Sequence, residues 1–169
     1  MNRFFPVLGA VHSRRLPKAG PMQMRLPTGH HVEAILFADG GSRGNPGPAA
    51  SGAVLLDGSG ELLEEAHAYL GVKTNNVAEW TALLLGLEAA AKRGIKRLAI
   101  RLDSELVVKQ LRGEYRVKHP DLQPLHRRAG TLLRRFEYVD LRHVPRKQNA
   151  LADRLVNRVL DQEAPEPAK

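Results

Sequence analysis

Residues 32–41 read Val-Glu-Ala-Ile-Leu-Phe-Ala-Asp-Gly-Gly, an apolar run that ends in a carboxylate and two glycines. The apolar part predicts a buried first strand, and Asp39-Gly40-Gly41 predicts a turn that stops it. Asp39 would then lie at the end of this strand or inside it. The folded domain is therefore expected to begin at Val32, with a carboxylate near the interior of a sheet.

The pattern of apolar residues beyond this strand predicts further strands and several helices. Two strands, at about 51–56 and 61–70, follow in an antiparallel meander. From Asn75 the apolar residues recur every three or four positions, which predicts an amphipathic helix that ends at Gly94. The remaining predicted elements are a strand at 97–102, a short helix capped by Ser104 and ended by Gly113, a helix opened by Pro120-Asp121 and running to about Arg135, a strand at 138–144 and a helix at about 150–160.

The predicted order of elements is β-β-β-α-β-α-α-β-α. Helical connections after the first helix require parallel pairing of the later strands, so the fold class is α/β, with a five-stranded mixed sheet flanked by helices. One domain is expected at residues 32–161, between a disordered basic tail at 1–31 and a flexible C-terminus at 162–169. The tail either adds affinity for nucleic acid, is an inert extension, or precedes a true start at Met22 or Met24.

Composition narrows the class of partner. The formal net charge of +8 favours a polyanion, because lysine and arginine that meet phosphates release condensed counterions. The absence of cysteine excludes thiolate metal sites and disulfides, and it is compatible with the reducing cytoplasm, the expected location. No apolar run approaches the roughly 20 residues that cross a bilayer. A soluble, monomeric protein without a membrane partner is expected.

Four carboxylates lie beside apolar residues: Asp39, Glu79, Asp103 and Asp153. Singly, each has an ordinary explanation as a turn residue, a helix surface residue or a partner of helix N-terminal amides. Together, the predicted topology can place them at one edge of the sheet, where each pair about 4 Å apart would repel by roughly 4 kcal/mol at an effective dielectric near 20. Either cations or protonation would relieve this repulsion. Divalent metal is the simpler answer, and all-oxygen ligands favour Mg²⁺ or Mn²⁺.

Four motifs, at residues 39–47, 74–79, 103–105 and 149–153, are similar to those of type 1 ribonuclease H. They read Asp-Gly-Gly-Ser-Arg-Gly-Asn-Pro-Gly, Thr-Asn-Asn-Val-Ala-Glu, Asp-Ser-Glu and Asn-Ala-Leu-Ala-Asp, and the resemblance covers about residues 33–160. It implies a ribonuclease H-like fold and an endonuclease that cuts the RNA strand of RNA–DNA hybrids with two Mg²⁺ or Mn²⁺ ions. The products would carry 5′-phosphate and 3′-hydroxyl ends. Asp39, Glu79, Asp103 and Asp153 would be the metal-binding catalytic set.

The same resemblance implies roles for the uncharged motif residues. Asn45, Asn75 and Asn76 would reach the minor groove of the hybrid. Glu105, where other members often carry glutamine, would approach the RNA sugar, whose 2′-hydroxyl distinguishes RNA from DNA. Asn45 with Thr74 would also approach a DNA phosphate. The ordinary alternatives are a turn at Asn45 and a helix cap at Asn75, and double-stranded RNA stays open as a second substrate.

The sequence departs from the family pattern in two places. Many bacterial members carry a histidine in a flexible loop before the last aspartate, whereas the connection here is the short stretch 143–149. This compact Val-Pro-Arg form resembles an archaeal-type branch, in which Arg146 would take the auxiliary catalytic place; His143 is the alternative. The segment 115–135, where some members have a tryptophan-bearing basic handle, holds six basic residues and no tryptophan, so it predicts either a weaker handle or a solvated helix face.

Two other functions compete with this hypothesis. One is another nuclease on the same fold, such as an exonuclease or a junction resolvase. Such exonucleases usually carry Asp-x-Glu in the first strand, and Asp39-Gly40-Gly41 has no second acid. The other is a hybrid-binding module without catalysis, against which the presence of all four acids argues.

Overall fold

The computed structural model describes residues 31–165. The elements are, in chain order, β1 (Ala34–Ser42), β2 (Gly47–Asp57), β3 (Leu62–Lys73), α1 (Asn75–Lys92), β4 (Arg97–Leu102), α2 (Glu105–Leu111), α3 (Gln123–Leu133), β5 (Tyr138–His143), a 3-10 helix (Arg146–Asn149) and α4 (Ala150–Glu163). Apart from His31, the predicted tail lies outside the described residues, as do residues 166–169, so the domain boundaries stay predictions. Among the helices of this described part, none is long and apolar enough to cross a membrane.

The five strands form one sheet in the order β3-β2-β1-β4-β5. β1 pairs with β2, and β2 with β3, in antiparallel fashion. β4 pairs with β1 and with β5 in parallel. The predicted fold class is therefore confirmed. Since β1 and β4 are parallel neighbours, their C-terminal ends meet at the same edge of the sheet, where Ala38 pairs with Leu102.

Helices cover both faces of the sheet. Alternate residues of β1 point to opposite faces. Leu36 belongs to the larger core, which contains Trp80 of α1 and apolar residues of α2 and α3. Ile35 and Phe37 belong to a second core, which contains Leu155 of α4. The sheet thus separates α4 from the three other helices.

The ends of two helices follow the predicted signals. The Oγ1 atom of Thr74 accepts a hydrogen bond from the Val77 amide at 3.2 Å and caps the start of α1. Gly94, with a φ of 73°, ends that helix in the left-handed conformation that glycine adopts at low cost. Ser104 caps α2 by accepting from the Val107 amide at 3.3 Å. The predicted cap at Ser104 and stop at Gly94 are confirmed.

The prediction that Asp39-Gly40-Gly41 stops the first strand is wrong. β1 continues to Ser42, and Gly40 and Gly41 pair with Ser51 and Ala50 of β2. The glycine at position 40 serves close packing rather than a turn, since the backbone of α1 lies against its Cα. Glycine in a strand and glycine in a turn look alike when only the local sequence is read.

Two other boundaries also differ from the prediction. α3 begins at Gln123 rather than at Pro120-Asp121, because the preceding residues form a turn in which the Leu122 amide donates to the His119 carbonyl at 3.0 Å. β2 begins at Gly47 rather than at Ser51. The residues that lengthen β2 are glycine, proline and alanine, which lack the branched side chains that identify strands.

Candidate active site

Two of the predicted carboxylates are brought together by the pairing of β1 with β4. Ala38 and Leu102 are register partners, and the next residues along the two chains are Asp39 and Asp103. Asp39 is buried within β1, with 7% of its surface exposed, whereas Asp103 follows the end of β4 and is half-buried. Parallel neighbours thus carry two acids to one edge of the sheet, as the sequence predicted.

Helix α1 carries Glu79 to the same edge. A Cβ added to Gly40 would overlap the backbone of Ala78 and Glu79, so the glycine allows the first turns of α1 to lie directly on β1. The buried Ser51 hydroxyl donates to the Ala78 carbonyl at 2.7 Å and fixes the same helix to β2. Carboxylate oxygens of Asp39, Glu79 and Asp103 consequently lie within 4.8 Å of one another.

Asp153 completes the predicted acidic set from the opposite side. It lies in the first turn of α4 and lines the same cleft, which has a volume of about 290 Å³. Its charge raises the pKa of Asp39, after the larger effects of burial and of Asp103. The structure therefore brings all four predicted acids to one cleft, three of them as a tight cluster.

The cluster is electrostatically unfavourable in the absence of a cation. Burial, together with the charges of Asp103 and Asp153, raises the pKa of Asp39 to about 7. Burial, together with the charges of Asp39 and Asp103, raises the pKa of Glu79 to about 9. Both groups therefore favour a proton or another positive charge at neutral pH. Closely spaced oxygen ligands of this kind fit Mg²⁺ or Mn²⁺.

Arg146 and His143, the two predicted auxiliary residues, occupy different places. Arg146 lines the cleft, and its Nη2 atom donates to Oδ1 of Asp153 at 3.2 Å. The Nε2 atom of His143 lies 3.1 Å from the backbone carbonyl oxygen of Asp103. Only the guanidinium thus contacts a carboxylate of the cleft, while the imidazole is held by a main-chain group.

Of the predicted substrate-binding residues, Asn75 lines the cleft beside the carboxylates. Oδ1 of Asn45 accepts from the Asn75 amide at 3.1 Å, which ties the β1–β2 loop to the start of α1 next to the capping residue Thr74. Asn76 is exposed in the first turn of α1. Glu105 begins α2, and its carboxylate pairs with Lys109 at 2.8 Å.

Sequence reasoning missed Asn149 as a residue of the site. It is fully buried, and its Nδ2 atom donates to the Ala38 carbonyl at 2.9 Å and to Oδ1 of Asp103 at 3.0 Å. An asparagine before an apolar helix looks like an ordinary N-cap, yet its side chain makes no capping hydrogen bond. Its place in a motif that ends at Asp153 was the one available signal.

Arg43, a residue of the first motif, also lines the cleft. Its Nη1 atom donates to the carbonyl of Ala164 at 2.8 Å and to that of Leu160 at 3.3 Å, and its Nη2 atom pairs with Asp161. These contacts fix the loop after β1 to the C-terminal end of α4. Arg43 therefore stabilises one wall of the cleft.

Over most of its length the chain is similar to known proteins. Residues 37–159 match the family described as Reverse transcriptase-like. Ribonuclease HI of Halobacterium salinarum is 47% identical over 125 residues, which cover 74% of this chain and 63% of that protein. The bifunctional protein Rv2228c of Mycobacterium tuberculosis is 44% identical over 131 residues, which cover 77% of this chain but 36% of that protein. The chain thus matches only part of the length of these relatives.

Solved structures of RNase H1 proteins are also similar to this chain. The crystal structure of RNase H1 from Halobacterium salinarum superposes with a TM-score of 0.73 at 46% identity, covering 76% of this chain and 98% of that one. LC11-RNase H1 in complex with an RNA/DNA hybrid superposes with a TM-score of 0.72 at 40% identity, covering 76% of this chain and 97% of that one. With its sheet order, its acidic cluster and these similarities, the chain belongs to the type 1 ribonuclease H family.

Proposed function

We propose that this protein is an endonuclease that hydrolyses the RNA strand of RNA–DNA hybrids. The observation that carries the proposal is the cluster of Asp39, Glu79 and Asp103, whose carboxylate oxygens lie within 4.8 Å of one another at the edge of a cleft. Support comes from the relative named ribonuclease HI and from the similar RNase H1 that was solved with an RNA/DNA hybrid. The absence of cysteine is compatible with the cytoplasm as its compartment, and we take the monomer as its working unit.

The four acids are the proposed ligands of divalent cations. We propose that two cations bind when substrate is present. Such ions would supply the positive charge that lowers the pKa of a water molecule and offsets the charge of the phosphodiester. Asp39 is buried in β1, Glu79 lies in the part of α1 that packs on Gly40 of that strand, and Asp153 lines the same cleft from the first turn of α4. Hydrolysis that breaks the bond to the RNA 3′-oxygen leaves 5′-phosphate and 3′-hydroxyl ends.

Recognition of the hybrid is assigned to the five predicted substrate-binding residues. Asn45, Asn75 and Asn76 would offer amide groups to the minor groove, and Glu105 would offer a carboxylate that accepts hydrogen bonds from 2′-hydroxyls. Because Oδ1 of Asn45 is occupied by the Asn75 amide, the Nδ2 group of Asn45 is left to donate to substrate. Together with Thr74, it is the proposed contact to a DNA phosphate. The net charge of +8 favours binding to the phosphate backbones of the RNA and DNA strands. This electrostatic affinity does not depend on the base sequence.

Arg146 is the proposed auxiliary catalytic residue. Its guanidinium is 80% exposed, lies against Asp153 and faces the cleft, where a phosphate of the substrate would meet it. Arginine keeps its charge at any physiological pH, so its role is electrostatic rather than that of a proton carrier.

The deciding experiment incubates an end-labelled RNA–DNA hybrid with the full-length protein and Mg²⁺ or Mn²⁺. We expect internal cleavage of the RNA strand, 5′-phosphate product ends and no cleavage by Asp39→Asn. Binding without cleavage would favour the hybrid-binding module, and trimming from strand ends or cutting of duplex DNA would favour another nuclease class. A parallel reaction on double-stranded RNA decides whether that duplex is a second substrate.

A further inference from the structure

Asn149 occupies a position that its residue type does not explain. It precedes α4, where asparagine usually accepts a hydrogen bond from the helix N-terminal amides, but its side chain makes no such bond. The side chain is instead fully buried between the ends of two strands. Its Nδ2 group donates to the carbonyl of Ala38 at 2.9 Å and to Oδ1 of Asp103 at 3.0 Å.

Both hydrogens of the Asn149 amide are therefore used within the acidic edge of the sheet. Ala38 immediately precedes Asp39. The Asn149 amide therefore links the main chain beside Asp39 to the carboxylate of Asp103. The orientation of this amide is fixed by chemistry, because both neighbouring atoms are acceptors and a flipped amide would turn Oδ1 toward them. Within residues 31–165, Oδ1 of Asn149 is buried without a hydrogen-bond partner, so the fold leaves one acceptor unpaired while both donors are used.

An amide suits this place better than a cation would. Nδ2 restrains the Asp103 carboxylate through one oxygen while leaving its negative charge intact. Lysine or arginine at the same place would neutralise the charge that a divalent ion needs. The backbone of Asp103 is restrained as well, since its carbonyl oxygen lies 3.1 Å from Nε2 of His143. The carboxylate and the main chain of the same residue are thus each held by a separate group.

We propose that Asn149 is a positioning residue that fixes the Asp103 carboxylate against β1, so that the site is arranged for a divalent cation before the cation arrives. The inference rests on the proposed function, and it adds a residue that acts through Asp103 rather than on substrate. Because Asn149 is fully buried, it has no surface with which to touch the hybrid. Its loss should therefore affect cation affinity and turnover but not hybrid affinity.

The test compares the full-length protein with Asn149→Leu, which keeps the volume but removes both donors, and with Asn149→Ser, which keeps one short donor. Val159→Ala is the control, because Val159 is a buried residue of α4 that packs in an apolar cluster with Ala50, Val156 and Leu160 and is not among the residues that line the cleft. Mn²⁺ affinity is measured by calorimetry without substrate, and kcat and KM are measured on the hybrid. Thermal unfolding reports folding of every variant.

We expect Mn²⁺ affinity and kcat to fall about 10- to 100-fold in Asn149→Leu, as is usual for groups that orient metal ligands, and less in Asn149→Ser. KM for the hybrid should stay unchanged, and a higher Mn²⁺ concentration should restore part of kcat. If Asn149→Leu does not fold, the serine variant carries the same comparison. The proposal is overturned if Mn²⁺ affinity is unchanged in a folded variant, or falls equally in Val159→Ala.

The two proposals fail separately. If the wild-type protein cuts no hybrid, the proposed function fails, while the affinity for Mn²⁺ in the absence of substrate still tests the role of Asn149. If the wild type cuts hybrid and Asn149→Leu binds Mn²⁺ and turns over normally, only the role of Asn149 fails.

Discussion

Gly40 of β1 lies in direct backbone contact with Ala78 of α1, and a Cβ at position 40 would overlap the carbonyl group of Ala78. This contact sets the distance between Asp39 on the strand and Glu79 on the helix, because each acid adjoins one of the two contacting residues. The spacing of two carboxylates therefore depends on a residue that has no side chain.

Gly40→Ala should force α1 away from β1. We expect a loss of about 1–3 kcal/mol in the free energy of unfolding, as for overpacked cores, together with a fall in cleavage rate. Gly41→Ala is the matched control, since its Cβ would lie 3.4 Å from a Val156 methyl group, an ordinary contact. Urea unfolding of both variants checks the prediction, and equal stabilities would contradict it.

The stability of the metal-free protein should depend on pH through its acidic cluster. The folded pKa of Asp39 is about 7 against an ordinary 3.8, and that of Glu79 is about 9 against an ordinary 4.5. At pH values between the ordinary and the folded pKa of each group, the folded protein binds more protons than the unfolded chain. The free energy of unfolding therefore falls as pH rises from about 4 to about 9. A bound cation replaces those protons.

Thermal unfolding in EDTA at pH 5 and pH 9 tests this dependence. Glu79→Gln should melt higher than the wild type at pH 9, by about 4 °C for each roughly 1 kcal/mol of penalty relieved, and little differently at pH 5. Added Mg²⁺ should raise the midpoint of the wild type more at pH 9 than at pH 5. The opposite order of the Mg²⁺ effects would show that the cluster does not bind the cation as proposed.

Arg146 and His143 should respond differently to removal. Arg146→Ala removes the charge that faces the cleft, so we expect kcat to fall about 10-fold or more with little change in melting temperature, since an exposed ion pair stabilises little. His143→Ala should cost less activity, because the imidazole lies against the main-chain carbonyl of Asp103 and is not among the residues that line the cleft. Steady-state kinetics on one hybrid decides between them, and a larger loss in His143→Ala would reverse the assignment.

A buried ion pair lies between β4 and β5, away from the cleft. Arg101 donates to the Asp140 carboxylate at 2.8 Å, with side-chain exposures of only 4% and 1%. Asp140→Ala leaves a buried guanidinium uncompensated and should cost about 3–5 kcal/mol in unfolding free energy. Glu64→Ala breaks the half-exposed pair with Arg93 and should cost less than about 1 kcal/mol. Similar losses in the two variants would argue against this reasoning.

The sequence predicted the presence of strands and helices more reliably than the residues at which they begin and end. Apolar periodicity and capping residues are local signals, so the helix from Asn75 to its stop at Gly94 was readable directly. The extension of β1 through Gly40 was not, because whether a glycine turns the chain or packs against a helix depends on residues 38 positions away. The start of α3 at Gln123 was similarly hidden, since Pro120-Asp121 is also ordinary turn chemistry.

By itself the sequence determined the order of strands and helices, the four acids and the motifs that indicate the family, because each of these is written in short stretches of residues. Only the tertiary structure decided which groups touch. The pairing of β1 with β4 placed Asp39 beside Asp103. Arg146 lines the cleft, whereas His143 does not. Asn149 donates a hydrogen bond to Asp103, which lies 46 residues earlier in the chain. These contacts join residues that are distant in the chain, so the packing of α4 and the register of parallel strands had to be known first.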